Sequence, residues 1–237
     1  MSECYGRVVS DELASSWVAQ AGPNASVQGA NTVVAFDFDG TLTVRDTVWP
    51  FISLLVPKRK VLKVFASDLA RNLRAVVTRD RDFLKLNVLA KSLEGISVEK
   101  ANNIAEKYAV HVLQYWMRSD TCARLRWHQK AGHTVVIVSA SFESYLGPVA
   151  HRIGVEHVLA SRLEVQAVSD GGQCFSGKLF GENCRGVEKI QRFREWSSAQ
   201  PGSVFRYAYG DSAGDQELLN ASGEAIWVKH ESLHPAP

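Results

Sequence analysis

The sequence predicts an α/β fold, with a Rossmann-like, doubly wound parallel sheet and an inserted all-helical domain. Three apolar, strand-like runs at 32–36, 134–138 and 204–209 are separated by helix-like stretches. This alternation is typical of a parallel sheet that is covered by helices on both faces. Ligands of such sheets bind beyond the carboxyl ends of the strands. Acidic or hydroxyl residues follow each of the three runs, so a functional site is expected there.

The stretch between the first two runs has helical periodicity. Its apolar residues recur every four positions, as on the buried face of a helix: Val61, Phe65, Leu69 and Leu73. Helical patterns continue over 81–93 and 98–117, and no strand-like run interrupts them. We therefore predict a helical cap at 47–118, inserted into a core that is formed by 32–46 and 119–237.

The remainder of the core alternates between the two patterns. The expected elements are helices at 143–153, 187–197 and 215–220, strands at 155–161 and 225–228, and a hairpin of 163–168 with 174–179 around Asp170-Gly171-Gly172. Gly and Asp favour the tight turn of such a hairpin. Residues 1–31 are weakly patterned, and we predict that they form a flexible leader with at most a short helix.

Composition excludes several classes of protein. The chain has 237 residues, 46% of them hydrophobic and 22% charged, and its net charge of +2 gives no indication of nucleic-acid binding. Its four cysteines form no CxxC pair and do not cluster with histidines, so we expect free thiols rather than zinc or disulfides. With no secretory signal and no apolar stretch long enough for a transmembrane segment, we expect a soluble, cytoplasmic protein.

The first strand-like run delivers two carboxylates to its own end. Asp37 and Asp39 follow it one residue apart, and Gly40 and Thr41 then break the strand. Charges at the end of a buried strand must be paired or bound to a metal. The pattern therefore predicts that these two acids share a metal ion and a substrate.

Further polar groups follow in chain order. Ser139 ends the second run, Lys189 opens an amphipathic stretch, and Asp211 and Asp215 follow the third run. This set resembles the four motifs of the haloacid dehalogenase superfamily of aspartate-nucleophile phosphohydrolases. The resemblance covers residues 32–228 and is strongest to the branch that is related to phosphoserine phosphatases, subfamily IB, which carries a helical C1 cap.

The resemblance implies a phosphomonoester hydrolase that acts through an aspartyl-phosphate intermediate. Asp37 would be the nucleophile, and Asp39 would be the general acid and base, partly protonated near neutral pH as crowding of carboxylates favours. Phosphate would be bound by Thr41, Ser139, Ala140 and Lys189, although Lys178 and Arg185 are basic alternatives near Lys189. The cofactor would be Mg²⁺, which prefers oxygen ligands, held by Asp37, Asp211 and the backbone carbonyl of Asp39, with Asp215 behind them.

The substrate is expected to be a small phosphorylated metabolite. Asp46 lies where phosphoserine phosphatases place a glutamate for the substrate ammonium, so an amine-bearing ester such as phosphoserine or histidinol phosphate is one candidate. Asp46 could equally cap the first cap helix. Gly40 and Gly214 depart from the serine and asparagine usual in those enzymes. Trp49 and Phe51 would either line the pocket or pack inside the cap, and the cap arginine for the substrate is one of Arg71, Arg74, Arg79 and Arg81.

Three other functions stay open at this point. Lys60, Lys63, Arg71 and Arg74 form a basic stripe, which is either a solvated face or a surface for anionic lipid. In the second case the substrate would be a lipid phosphate of the phosphatidylglycerophosphate kind. A phosphomutase would pass the same intermediate to a sugar hydroxyl. A non-catalytic binding module is the remaining alternative, and the sequence does not indicate an oligomeric state.

Overall fold

The computed structural model describes residues 31–67, 81–169, 171–228 and 233. Five strands form one sheet: β1 (Asn31–Phe36), β2 (Thr134–Phe142), β3 (His157–Ser161), β6 (Ser203–Gly210) and β7 (Glu224–Trp227). Their order across the sheet is β3-β2-β1-β6-β7, and every neighbouring pair is parallel. The predicted α/β class with a doubly wound parallel sheet is therefore confirmed.

The predicted hairpin forms a separate two-stranded ribbon, which consists of β4 (Leu163–Ala167) and β5 (Gln173–Leu179). Five of the described α-helices lie between β1 and β2: α1 (Val48–Leu55), α2 (Lys58–Ser67), α3 (Arg81–Ser92), α4 (Val98–Tyr115) and α5 (Ser119–Lys130). The other described α-helices are α6 (Glu143–Arg152), α7 (Val187–Ser198) and α8 (Gln216–Ala221). Within the described residues, no helix is both long and apolar enough to cross a bilayer.

The central strand β1 is apolar on both faces because helices cover both sides of the sheet. Val34 and Phe36 belong to the apolar cluster on one side, whereas Val33 and Ala35 belong to the cluster on the other. All four side chains are fully buried. This double cover explains why the run from Val33 to Phe36 shows no alternation of polar and apolar residues.

The helical insert shares one of these apolar clusters with the core. The ring of Phe51 in α1 lies 5.4 Å from that of Tyr108 in α4 and 4.7 Å from that of Tyr145 in α6. The insert therefore packs directly against the helix that follows β2. The division into leader, core and cap stays a prediction, and the leader lies outside the described residues, as does the helix considered within it.

Two local expectations need correction. The four-residue row predicts Phe65 on the buried face of its helix, but 39% of it is exposed, while Val61 is buried and Val64 packs against the core. The helix packs through Val61 and Val64, because it is rotated about its own axis relative to the orientation that the row predicts. Leu69 and Leu73 lie outside the described residues. The second strand also continues to Phe142, so Ser139 lies within β2 and not beyond its end.

A buried imidazole joins α5 to the sheet. The two ring nitrogens of His128 lie 2.8 Å from Nδ1 of His133 and 2.9 Å from the hydroxyl of Tyr209. Tyr209 in turn stacks on Phe36, with ring centroids 4.2 Å apart. A neutral imidazole satisfies both contacts, once as donor and once as acceptor. Burial, together with His133 and Arg124, lowers the pKa of His128 to about 3.

We expect the free energy of unfolding to fall as the pH drops below about 6.5. In this range the unfolded chain takes up a proton that the folded His128 does not accept until about pH 3. One such histidine contributes a slope of at most about 1.4 kcal/mol per pH unit. Urea unfolding at a series of pH values should show a shallower slope for His128→Gln. His151→Gln, at an exposed position, should keep the slope of the wild type; equal slopes for all three proteins would contradict this assignment.

Candidate active site

The ends of β1, β2 and β6 and the start of α7 meet around a cavity of about 640 Å³. Eight of the residues predicted from the sequence line it: Asp37, Asp39, Asp46, Ser139, Ala140, Lys189, Asp211 and Asp215. They come from four separated parts of the chain and meet because parallel strands end at one edge of the sheet. The structure thus brings together the acids, the hydroxyl and the lysine of the predicted set.

Lys189 is the cation at the centre of this arrangement. Its Nζ donates to Oδ1 of Asp37 at 2.5 Å and also to Oδ1 of Asp215. The lysine is 2% exposed, and the first turn of α7, which begins after Gly186, carries it into the site. Burial lowers the pKa of this ammonium, but the two carboxylates outweigh the effect and raise it. Lys189 therefore carries a fixed positive charge.

Asp215 holds the loop after β6 as well as the lysine. Its Oδ2 accepts hydrogen bonds from the backbone amides of Asp211 at 3.2 Å and Ser212 at 2.9 Å, and from the Ser212 hydroxyl at 2.9 Å. A Cβ atom at Gly210 would lie 2.5 Å from Cβ of Asp215, so the close approach requires glycine. Both oxygens of Asp215 are thus engaged inside the protein.

Negative charge is crowded here. Burial raises the pKa of Asp37 to about 7, Lys189 opposes the rise, and the neighbouring Asp215 and Asp211 add to it. Burial and Asp215 also raise the pKa of Asp211. Burial alone would raise the pKa of Asp215 too, but Lys189 and the hydrogen bonds from Ser212 hold this pKa below its ordinary value. An additional cation near Asp37 and Asp211 would therefore be stabilised.

The donor set fits a magnesium ion. Asp37, Asp211 and Asp215 each offer a carboxylate oxygen, and these oxygens all lie within 4.8 Å of one another. Mg²⁺ prefers such hard oxygen donors and takes few of them from the protein. Because Asp215 is already engaged by Lys189 and the loop amides, Asp37 and Asp211 are the carboxylates better placed to bind the ion.

Asp39 lies in a different environment, in which hydroxyl groups hold both of its oxygens. Oδ1 accepts from the Thr47 amide at 3.0 Å and the Thr47 hydroxyl at 2.5 Å, while Oδ2 accepts from the Ser141 hydroxyl at 2.7 Å. Tyr145 lies 2.8 Å from the Thr47 hydroxyl, and Tyr108 donates to the Thr47 carbonyl at 2.6 Å. The carboxylate is therefore fixed by groups from both the insert and the core.

Burial is the main cause of the protonation behaviour of Asp39. It raises the pKa of this carboxyl to about 6, against the effect of the hydrogen bonds from Thr47 and Ser141. The crowding of carboxylates that the sequence suggests as the cause contributes little, since Asp46 has only a minor effect. Both protonation states of Asp39 are consequently accessible close to neutral pH.

The predicted phosphate-binding residues take different places. Ser139 and Ala140 line the cavity, and the Ser139 hydroxyl accepts from the Ser141 amide at 3.2 Å. Thr41 is fully buried and does not line the cavity. Its hydroxyl has no hydrogen-bond partner within the described residues, while its carbonyl accepts from Thr121. A contact between Thr41 and phosphate stays a prediction.

The candidates for substrate specificity also separate. Asp46 lines the cavity and accepts a hydrogen bond from the amide of Trp49 at 3.1 Å, as a residue that caps a helix would do. Trp49 is 37% exposed and Phe51 is fully buried among aromatic rings, and neither lines the cavity. The structure therefore favours the packing alternative for Phe51. Arg71, Arg74 and Arg79 lie outside the described residues.

Three arginines also stand in the cavity wall, namely Arg45, Arg118 and Arg185, and the sequence assigns no role to the first two. Arg45 lies over the ring of Trp116 at 4.7 Å, and Arg118 donates two hydrogen bonds to Asp120. None stands in a recognisable motif. A signal exists only for Arg185, which is a basic alternative to Lys189 in the sequence.

Arg185 occupies space that a glycine leaves open. A Cβ atom at Gly214 would lie 2.7 Å from Cζ and Nη1 of Arg185, so the guanidinium rests against the glycine. The backbone carbonyl of Gly214 also accepts from the amide of Gly186 at 2.8 Å. The departure from asparagine at position 214 thus has a structural counterpart in the arginine beside it.

Comparison with known proteins agrees with this geometry. A sequence model of haloacid dehalogenase-like hydrolases matches residues 34–220. The protein CicA of Caulobacter vibrioides is 34% identical over 195 residues, which are 81% of this chain and 83% of the relative. A histidinol-phosphatase of Neisseria meningitidis is 25% identical over 208 residues, which are 83% of this chain and 90% of that enzyme.

Solved structures show the same fold. A substrate-bound phosphoserine phosphatase superimposes with a TM-score of 0.54 and 18% sequence identity, covering 83% of this chain and 85% of that enzyme. At this identity the likeness concerns the fold alone. Together with the family match over 34–220, the converging acids and the buried lysine lead to one conclusion: the chain belongs to the haloacid dehalogenase-like hydrolases.

Proposed function

We propose that the protein is a Mg²⁺-dependent phosphomonoester hydrolase with Asp37 as nucleophile and an aspartyl-phosphate intermediate. The observation that carries this proposal is that the acids of the site have different hydrogen-bond partners. Lys189 holds Asp37 and Asp215, whereas the hydroxyl groups of Thr47 and Ser141 hold the carboxylate of Asp39. One carboxylate is thereby positioned for attack, and another is kept able to exchange a proton.

The reaction would proceed in two displacements. In the first, a carboxylate oxygen of Asp37 bonds to phosphorus, the ester bond breaks, and protonated Asp39 gives its proton to the leaving alkoxide. In the second, Asp39 takes a proton from water as the water oxygen bonds to phosphorus. The bond to Asp37 then breaks, and orthophosphate leaves. The pKa of about 6 suits Asp39 to both steps.

Positive charge must balance the phosphoryl oxygens throughout. Lys189 supplies one fixed charge, and Arg185 lines the same cavity. Asp37, Asp211 and the carbonyl of Asp39 would hold Mg²⁺, which when bound supplies further positive charge against the phosphate. Ser139 and Ala140 would hold the phosphoryl oxygens by hydrogen bonds.

We propose a small phosphorylated metabolite as substrate. Asp46 lines the cavity and would receive an amine on the leaving group, as histidinol phosphate or phosphoserine would provide. The relative named histidinol-phosphatase supports this class. Phosphate release from a panel of amino-acid, histidinol, sugar and lipid esters would identify the best substrate. Transfer to a sugar hydroxyl without orthophosphate release would instead identify a mutase.

The nucleophile is tested by Asp37→Asn, which keeps the volume and removes the attacking oxygen anion. We expect Mg²⁺-dependent phosphate release to fall by roughly a thousandfold or more, as for other removed nucleophiles. Glu99→Gln, on the exposed start of α4, should retain activity. Acid-quench of wild type with labelled ester should trap phosphate on the protein, and the Asn variant should trap none. Full activity of a folded Asp37→Asn protein would rule the proposal out.

Ser141 tests the positioning of Asp39. We expect Ser141→Ala to lower kcat by roughly 10- to 100-fold with little change in KM, because the hydrogen bond to Oδ2 orients the proton donor. Ser144→Ala is a matched control, since the Ser144 hydroxyl is buried with no hydrogen-bond partner within the described residues. Equal kinetics for the two variants would contradict a positioning role for Ser141.

Gly214 and Arg185 test the source of the extra charge. We expect Gly214→Ala to displace the guanidinium and Arg185→Gln to remove it, so each should raise KM by roughly tenfold, as loss of a charge-assisted hydrogen bond does. The double variant should be no worse than Arg185→Gln, because both changes remove the same interaction. Arg194→Gln, exposed on α7, is the control. If the KM effects of the two single variants add in the double variant, Gly214 acts independently of Arg185, which would contradict this interpretation.

A further inference from the structure

The segment from Leu54 in α1 to Phe65 in α2 carries exposed apolar and exposed basic side chains. Leu54, Leu62 and Phe65 are 53%, 68% and 39% exposed. Lys58, Arg59 and Lys63 are exposed on α2 among them. We call this set of six residues the α2 surface.

The α2 surface differs from the basic stripe expected from the sequence. Lys60, a member of that stripe, is only partly exposed, and its Nζ donates to the carbonyl of Glu94 at 3.0 Å. Arg71 and Arg74 lie outside the described residues. Among the described residues, the basic side chains exposed on α2 are Lys58, Arg59 and Lys63, and the exposed Leu62 and Phe65 lie in the same helix.

The opposite side of α2 anchors the helix to the protein. Val61 is buried, Val64 packs against the core, and Lys60 reaches the end of α3. An amphipathic helix fixed in this way presents a constant outward face. Exposed apolar side chains are common singly, but three between Leu54 and Phe65 indicate an interaction surface.

The charge pattern identifies the occupant. Residues 47–67 contain four basic and no acidic residues, so the surface suits a polyanion. A nucleic acid would be bound by the charges alone and would gain nothing from exposed leucines. An anionic bilayer would bind both the basic and the apolar side chains. Its headgroups attract lysine and arginine, while apolar side chains enter the boundary between the headgroups and the acyl chains.

One of these two helices also contributes to the cavity, since Val48 at the start of α1 lines it, while Leu54 near the end of the same helix belongs to the α2 surface. We propose that the α2 surface docks the protein on anionic membranes. Resting on the proposed function, docking would give the cavity access to phosphomonoesters that are carried by lipids.

The test uses the full chain and sedimentation with vesicles of phosphatidylcholine, with or without phosphatidylglycerol. We expect binding only to the anionic vesicles and weaker binding at high ionic strength. Each basic residue near such a surface contributes roughly fivefold to affinity. Reversal of Lys58, Arg59 and Lys63 to Glu should therefore weaken binding by roughly a hundredfold or more, and Leu62→Ser should weaken it several-fold.

A matched control reverses Lys100 and Lys107, exposed on α4, and should keep the affinity of the wild type. The proposal is overturned if the wild type does not bind, or if the two sets of reversals weaken binding equally. It is also overturned if Leu62→Ser abolishes self-association without vesicles, since a second copy would then cover the surface. Retention on duplex DNA that is lost on charge reversal but kept in Leu62→Ser would overturn it in favour of a nucleic acid.

Phosphate release separates docking from catalysis. All variants of the α2 surface should hydrolyse a small soluble ester like the wild type, whereas hydrolysis of vesicle-borne phosphatidate should fall with binding. Vesicle binding without hydrolysis of any ester would support docking and contradict the proposed function. Hydrolysis of the soluble ester without vesicle binding would support the proposed function and contradict docking.

Discussion

The buried ammonium of Lys189 is the constraint on which the site depends. A charge that is 2% exposed is tolerated only because the carboxylates of Asp37 and Asp215 accept hydrogen bonds from it. Removing one partner from such a pair typically costs on the order of 3 to 5 kcal/mol. The lysine thus fixes the distance between the end of β1 and the loop after β6. The position of Asp211 follows, because Asp215 binds the backbone of that loop with its other oxygen.

The sequence predicted those parts of the site that are local in the chain. Asp37, Asp39, Asp211 and Asp215 were identifiable because each follows a strand-like run, where a charge must be paired or bound to a metal. Lys189 could be separated from Arg185 only by resemblance. In the structure, burial distinguishes the two, since Lys189 is enclosed between two acids while Arg185 stands in the cavity wall. Side-chain burial of this kind depends on helix rotation, which periodicity gives only approximately.

The support of Asp39 could not be predicted, because its members lie far apart in the chain. Thr47 precedes the first helix of the insert, and Ser141 and Tyr145 follow almost a hundred residues later. No local sequence pattern can indicate such a meeting. The same limit explains Phe65, whose place in an apolar row predicts burial although tertiary packing rotates α2. The fold class is easier to predict than these contacts, because it follows from the alternation of strand-like and helix-like stretches alone.

Gly40 has a consequence for how this site can change over generations. Its φ is 84°, and a Cβ atom would lie 2.2 Å from Oδ2 of Asp211. The residues that are tolerated at position 40 therefore depend on the conformation of Asp211. A serine at position 40 would clash with Asp211 in its present rotamer, and the positive φ would strain it even after that carboxylate had moved. The order of substitutions therefore matters. A side chain at position 40 becomes tolerable only after both the turn at this residue and the loop that carries Asp211 have changed.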